Sequence, residues 1–320
     1  MDLVKLVTFP LAIILLPVPL ALLAMQSPTT TTRSLSAMEE RIAAIVQEFR
    51  GEMGVAVIDL TGGETVAVNA DRRFPTASTI KTAVMVEAYH QAAEGRVPMD
   101  ATFTLRETDK VGGSGVLNGL APGLTLTTAD LIHLMIVLSD NTATNMLIAR
   151  LGTARVNGRL DTYGLRETRL FRPTFRDGKP DVLPELEREF GLGMTTPREM
   201  ARLMALIGQR KALDPKASDA MLATLRRQQD RAMIPRLLPA LRGVAVGNKT
   251  GTDEEKQAGG DGGRRHVRAD AGVVTGPDFS YAIAIYARQV EDRRWSVEND
   301  ALTTGGRISR LVFDHFAGSR

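Results

Sequence analysis

Apolar residues recur at helical spacing along residues 36–50 (SAMEERIAAIVQEFR), where Met38, Ile42, Ile45, Val46 and Phe49 share a face and Gly51 ends the run. The pattern then changes. GVAVIDL (54–60) and TVAVNA (65–70) flank TGGE, the signature of a β-hairpin. A helix is predicted over residues 79–93, stopped near Gly95 and Pro98. VGGSGVLNGLAPG (111–123) is too rich in glycine to be anything but a loop. Residues 127–151 carry two helical runs meeting near Ser139. A long irregular stretch is expected from 172 to 196, then helices over 197–209 and 215–229. Strand patterns return in GVAVGNKTG (243–251), VRADAGVVT (267–275) and YAIAIYA (281–287), and a last helix covers about 303–316.

Strands at both ends with helices between imply an α+β fold. The two ends would share one antiparallel β-sheet flanked by helices, with an all-α subdomain inserted. The expected division is a sheet part over 37–80 and 240–320 and a helical part over 81–239. The charged, Gly-rich segment 252–265 (TDEEKQAGGDGGRR) reads as a long exposed hairpin tip.

Composition narrows the function. The 320-residue chain has a net charge of +3, with Lys and Arg spread along it, so nucleic-acid binding is not demanded. It has no cysteine, which excludes disulfides, a thiol nucleophile and thiolate metal sites. The four histidines lack ligand spacing, so no metal or other cofactor is expected. Residues 1–26 form an apolar start interrupted by Pro10, Pro17 and Pro19, which suits a signal peptide; its length also allows an uncleaved N-terminal anchor. Residues 27–36 read as a polar linker and 37–320 as the catalytic domain. The expected location is periplasmic or secreted, or held at the inner membrane by that first segment.

The chemistry sits in three short motifs. In FPTASTIKTAV (74–84), Ser78 and Lys81 are three apart at a helix start. Ser78 could be an N-cap with Lys81 an ordinary surface lysine. Equally, a helix puts positions i and i+3 on one face, so Lys81 could serve as the base for a Ser78 nucleophile. Ser-x-x-Lys alone is expected about once by chance in a chain of this length. It is followed, however, by Ser139-Asp140-Asn141 at the helix junction and Lys249-Thr250-Gly251 on a strand.

In this order and setting the trio resembles the penicillin-recognising serine hydrolases, most closely the class A β-lactamases. The resemblance covers nearly all of the chain after the linker. It implies an acyl-enzyme on Ser78, opened β-lactam rings, no cofactor and a monomer. It further implies that Lys81 is the base, kept partly neutral by a crowded cationic site to which Lys249 adds the second charge. Ser139 would bridge the two lysines and relay a proton to the leaving nitrogen. Asn141 would hold Lys81 and the substrate amide, and Thr250 the substrate carboxylate. The backbone N–H groups of Ser78 and Thr252 would form the oxyanion hole. Gly251 would let substrate pass close to the strand. Arg268 is expected either to help hold the carboxylate or to be a solvated edge arginine. Asp140 is expected to be structural.

One element departs from the pattern. The family carries a glutamate, written Glu-Pro-Glu-Leu-Asn, that activates the water for deacylation. Here the matching stretch is LPELE (183–187), with TTP following at 195–197. That register puts Leu183 at the glutamate position and Glu187 at the asparagine position. Glu185 or Glu187 is then a displaced base, or both are exposed loop carboxylates. Without the glutamate, hydrolysis of a β-lactam adduct should be slow, because its leaving group stays tethered. A D-Ala-D-Ala peptide, as in peptidoglycan, loses its terminal residue and leaves room for water. A D-alanyl-D-alanine carboxypeptidase is therefore the alternative. A non-hydrolysing penicillin sensor or cell-wall binding module is the reading from another class.

Overall fold

The computed structural model describes residues 35–175, 177–258 and 262–318. The expected signal or anchor segment, nearly all of the linker and the centre of the 252–265 segment lie outside these residues. In chain order the elements are α1 (Leu35–Gln47), β1 (Glu52–Asp59), β2 (Thr65–Val68), β3 (Phe74–Pro75), α2 (Lys81–Ala93), β4 (Thr102–Thr104) and β5 (Thr125–Thr127). There follow α3 (Thr128–Val137), α4 (Asn141–Leu151), α5 (Thr153–Thr162), β6 (Arg169–Leu170), α6 (Pro184–Phe190), β7 (Gly193–Thr195), α7 (Pro197–Gly208) and α8 (Pro215–Leu225). Three long strands and a helix end the chain: β8 (Ala245–Ala258), β9 (Arg264–Thr275), β10 (Ser280–Val290) and α9 (Asp300–Gly318).

The main sheet is antiparallel with order β2-β1-β10-β9-β8. Its two faces are both buried, which is why β10 reads as the unbroken apolar run YAIAIYA. Side chains alternate across a strand. Tyr281, Ile283 and Ile285 enter one core with Met38 and Ile42 of α1 and Ile308 and Val312 of α9. Ala282, Ala284 and Tyr286 enter the other, with Met200 and Met204 of α7.

This second core continues without a break into α2, α3 and α4. Within residues 81–239, α7 does not stand apart from the sheet, because its buried face covers β1 and β10. The core helix α2 is buried on nearly every side, from Lys81 to Ala88. Such a helix shows no amphipathic stripe because it has no solvent face.

Two further expectations change. The supposed exposed tip begins as an extension of β8, because Glu255 is buried and accepts hydrogen bonds from Arg288 Nε (3.2 Å) and the Gln289 amide (3.1 Å). The irregular stretch contains α6 and β7, the latter paired with β3 and β6.

Candidate active site

Strand β8 is the sheet's edge, so its outer backbone groups are unpaired by any neighbouring strand. Against this edge lies the 3-10 turn Ala77–Ile80 that leads into α2. The turn is pinned at both ends. Thr76 N donates to Gly193 O (2.8 Å), and Thr79 Oγ1 lies 2.7 Å from Thr76 O and 2.6 Å from the Tyr286 hydroxyl. The two elements touch at Gly251, where a Cβ would sit 2.7 Å from Thr76 O and 3.2 Å from Ala77 Cβ. Gly251 is thus required by the protein's own backbone, a nearer cause than the passage of substrate.

Ser78 is half-buried on this turn, after Ala77 at φ +42°. It caps no helix, since α2 begins at Lys81 and neither the turn nor α2 has a side-chain cap. Lys81 is no surface lysine either; it is fully buried. Its ammonium donates to Ser139 O (2.7 Å), Ser139 Oγ (3.1 Å) and Asn141 Oδ1 (2.8 Å). Ser139 stands at φ +55°, a left-handed conformation uncommon for serine, which turns both its oxygens toward Lys81. The same hydroxyl lies 3.1 Å from Lys249 Nζ, which also donates to Thr250 O (2.8 Å). One hydroxyl therefore stands between two buried lysines.

That crowding sets the protonation. Burial, then the charge of Lys249, push the Lys81 ammonium well below the usual lysine range, with Asp140 opposing. Burial pushes Lys249 down to about 8, with Asp230 and Asp270 opposing. A neutral Lys81 can accept a proton, and the Ser139 hydroxyl can pass one between the lysines.

Asp140 builds the frame. It caps α4 by accepting from Ala143 N (2.9 Å) and holds the Gly-rich loop by accepting from Val116 N (2.7 Å) and Leu117 N (2.9 Å). Gly113 and Gly115 are needed because a Cβ at either would overlap Asn141 or Asp140. Asn141 completes the contact by donating to Gly112 O (3.1 Å).

Ser78, Ser114 and Thr252 line two adjoining cavities. The smaller, about 260 Å³, adds Ser139, Gln229, Asp230 and Thr250. The larger, about 350 Å³, adds Asn141, Arg172, Phe175, Asp177 and Trp295. No local sequence pattern marks Ser114, Gln229, Asp230, Arg172, Asp177 or Phe175 as a site residue. Trp295 alone carried a signal, as the only tryptophan, set among charged residues.

Three expected site residues stand elsewhere. Thr250 pairs with Asp270 across β8 and β9, and Arg268 is two residues from Asp270, so Arg268 shares their face while Lys249 points to the other. Arg268 is buried there, neither a solvated edge residue nor part of the cavity walls. It donates to Val267 O (2.9 Å) and faces His266 Nδ1 (2.8 Å). Burial pushes it down to about 10. Glu185 is exposed on α6 and lines neither cavity. Glu187 is not exposed as expected, but 4% accessible, where it accepts from Arg172 Nε (2.7 Å).

An edge strand meeting a serine-bearing turn and two buried lysines defines a serine acyl-transfer hydrolase of the penicillin-recognising class. The model of the beta-lactamase enzyme family matches residues 37–316, and the chain belongs to that family, in its class A group. It is 27% identical over 281 residues to the beta-lactamase CARB-3 of Pseudomonas aeruginosa, covering 87% of this chain and 89% of that one. The beta-lactamase from Sphaerobacter thermophilus DSM 20745 is 31% identical with a TM-score of 0.74, over 88% of this chain and 97% of the other. PBP-A, solved also as a leucine-to-glutamate mutant in an acyl-enzyme complex with penicillin G, is 30% identical with a TM-score of 0.71; that mutant's match covers 88% of this chain and 97% of the other.

Proposed function

We propose that this protein is a class A type serine hydrolase that opens β-lactam rings through an acyl-enzyme on Ser78, with deacylation as the slow step. The observation that carries the reading is the Ser139 hydroxyl, 3.1 Å from both Lys81 and Lys249 beside Ser78. In this reading a neutral Lys81 takes the Ser78 proton as Oγ attacks the lactam carbonyl. The oxyanion forms between the N–H groups of Ser78 and Thr252. The C–N bond breaks as Ser139 delivers a proton to the nitrogen, resupplied through Lys249. The substrate carboxylate lies at Thr250 in the smaller cavity. Preorganised donors of this kind are the largest part of such catalysis. The domain acts outside the cytoplasm.

The slow step follows from the loop. Leu183 occupies the position the family gives to glutamate, and no loop glutamate lines the cavities. Asp177, the loop carboxylate that does, is tied to Arg172 and Lys256. This specific observation favours a second reading, a D-Ala-D-Ala carboxypeptidase, to which the likeness to PBP-A adds support. The test presents benzylpenicillin and a peptide ending in D-Ala-D-Ala in parallel, and follows ring-opened penicillin and freed D-alanine. Turnover of penicillin above that of Ser78→Ala supports the first reading. Freed D-alanine with penicillin retained as a stable adduct supports the second. Neither product nor adduct overturns both.

A further inference from the structure

Trp295 is 63% exposed and Phe175 is 59% exposed, and both line the larger cavity beside Ser78. Exposed aromatics on mobile loops would mean little, but these two are held. The segment carrying Trp295 is clasped by Asn299, whose Nδ2 donates to Asp292 O (2.8 Å) and Arg294 O (3.0 Å). Asp292 in turn accepts from the amides of Arg294 (2.9 Å) and Asp300 (2.7 Å). The indole rests on the His266 ring at 4.6 Å between centroids and on the Arg268 guanidinium at 4.8 Å. A buried guanidinium against an indole is a favourable cation–π pairing.

Phe175 is fixed from the other side. Its φ of +54° is an outlier for a bulky residue. Its ring packs on Gly113, where a Cβ would meet it at 2.7 Å. The preceding Thr174 is locked to Asn145, whose Oδ1 accepts from Thr174 N (2.8 Å) and Oγ1 (2.9 Å). The charges in this cavity are largely spent on each other: Asp177 pairs with Arg172 and with Lys256, and Lys256 also lies 4.0 Å from Asp253. Glu254, Arg264 and the polar side chains of Ser114, Asn141, Thr174 and Thr252 also line it, and Trp295 and Phe175 are its large exposed apolar faces.

We propose that Trp295 and Phe175 form a subsite for an uncharged aromatic side chain on the acyl part of the substrate, with Arg268 the positioning residue beneath Trp295. The proposal rests on acyl transfer at Ser78. Its test compares the second-order rate constant of acylation by benzylpenicillin with that by 6-aminopenicillanic acid, which lacks the aromatic group. Trp295→Ala should slow benzylpenicillin by about tenfold, near the upper end of what an aromatic pair adds beyond its buried area, and move 6-aminopenicillanic acid less than about twofold. Phe175→Ala should act in the same direction, and Trp295→Phe should restore most of the loss. Equal losses on both compounds, or none, overturn the subsite. Because Trp295 is the only tryptophan, its fluorescence in Ser78→Ala gives a second readout that needs no acylation. A shift with benzylpenicillin and none with 6-aminopenicillanic acid supports the subsite even if the wild type forms no adduct, an outcome that would remove the acyl-serine reading alone. Adduct formation without that shift removes the subsite alone.

Discussion

At the scale of the residue, the site turns on two lysines that burial keeps from holding their protons in the ordinary way. Lys81 acts as a base only when neutral, and its depressed pKa brings that form within reach. Lys249 contributes only when charged, and it loses its charge near pH 8. Acylation should therefore rise with pH as Lys81 sheds its proton, then fall through about pH 8 as Lys249 does. Stopped-flow acylation rates from pH 5 to 10 check this. A rate that climbs steadily to pH 10 would mean that both lysines titrate as free amines. The residues that meet around the Ser139 hydroxyl were legible in the sequence because their types and spacing suit one chemistry. Arg268 is on the Thr250 face by the register of β8 on β9, and its burial against Val267 O and His266 depends on contacts that no local pattern shows. Phe175, Asp230 and Trp295 reach the cleft from distant segments, and no local pattern announces that.

At the scale of the element, Asp140 is the joint between α4 and the Gly-rich loop. Its carboxylate accepts three backbone N–H groups from two segments. Asp140→Ala removes a helix cap and leaves buried donors unpaired, so about 3 kcal/mol of stability should be lost, from ~1 for the cap and ~1 for each orphaned amide. Urea unfolding measures it, and a loss below about 1 kcal/mol would show that the loop stands without Asp140. Elements rich in apolar residues, such as β1 and β10, were readable because a strand buried on both faces is a nearly continuous hydrophobic run. The far half of β8 was not, because DEEK looks like solvent-exposed loop until Arg288 is seen to bury Glu255. Nor was α6, a short helix that starts at Pro184 and buries only Glu187 and Phe190.

At the scale of the whole molecule, one core runs from the sheet through α7 into the helices, and the site lies where β8 meets that core. The loop that closes the larger cavity depends on a buried ion pair, Arg172 with Glu187. Arg172→Met would strand the Glu187 charge and should cost about 3–5 kcal/mol, whereas Arg172→Met with Glu187→Leu should recover much of it. Thermal unfolding of the two variants separates the cases; equal losses would show that packing, not the stranded charge, is at stake. Everything in the site depends on covalent chemistry at Ser78, and intact mass after adding benzylpenicillin reads that step itself. The expected result is an increase by one penicillin that decays slowly in the wild type and never forms in Ser78→Ala. An unchanged wild-type mass with penicillin left intact, or the same adduct on Ser78→Ala, would contradict it.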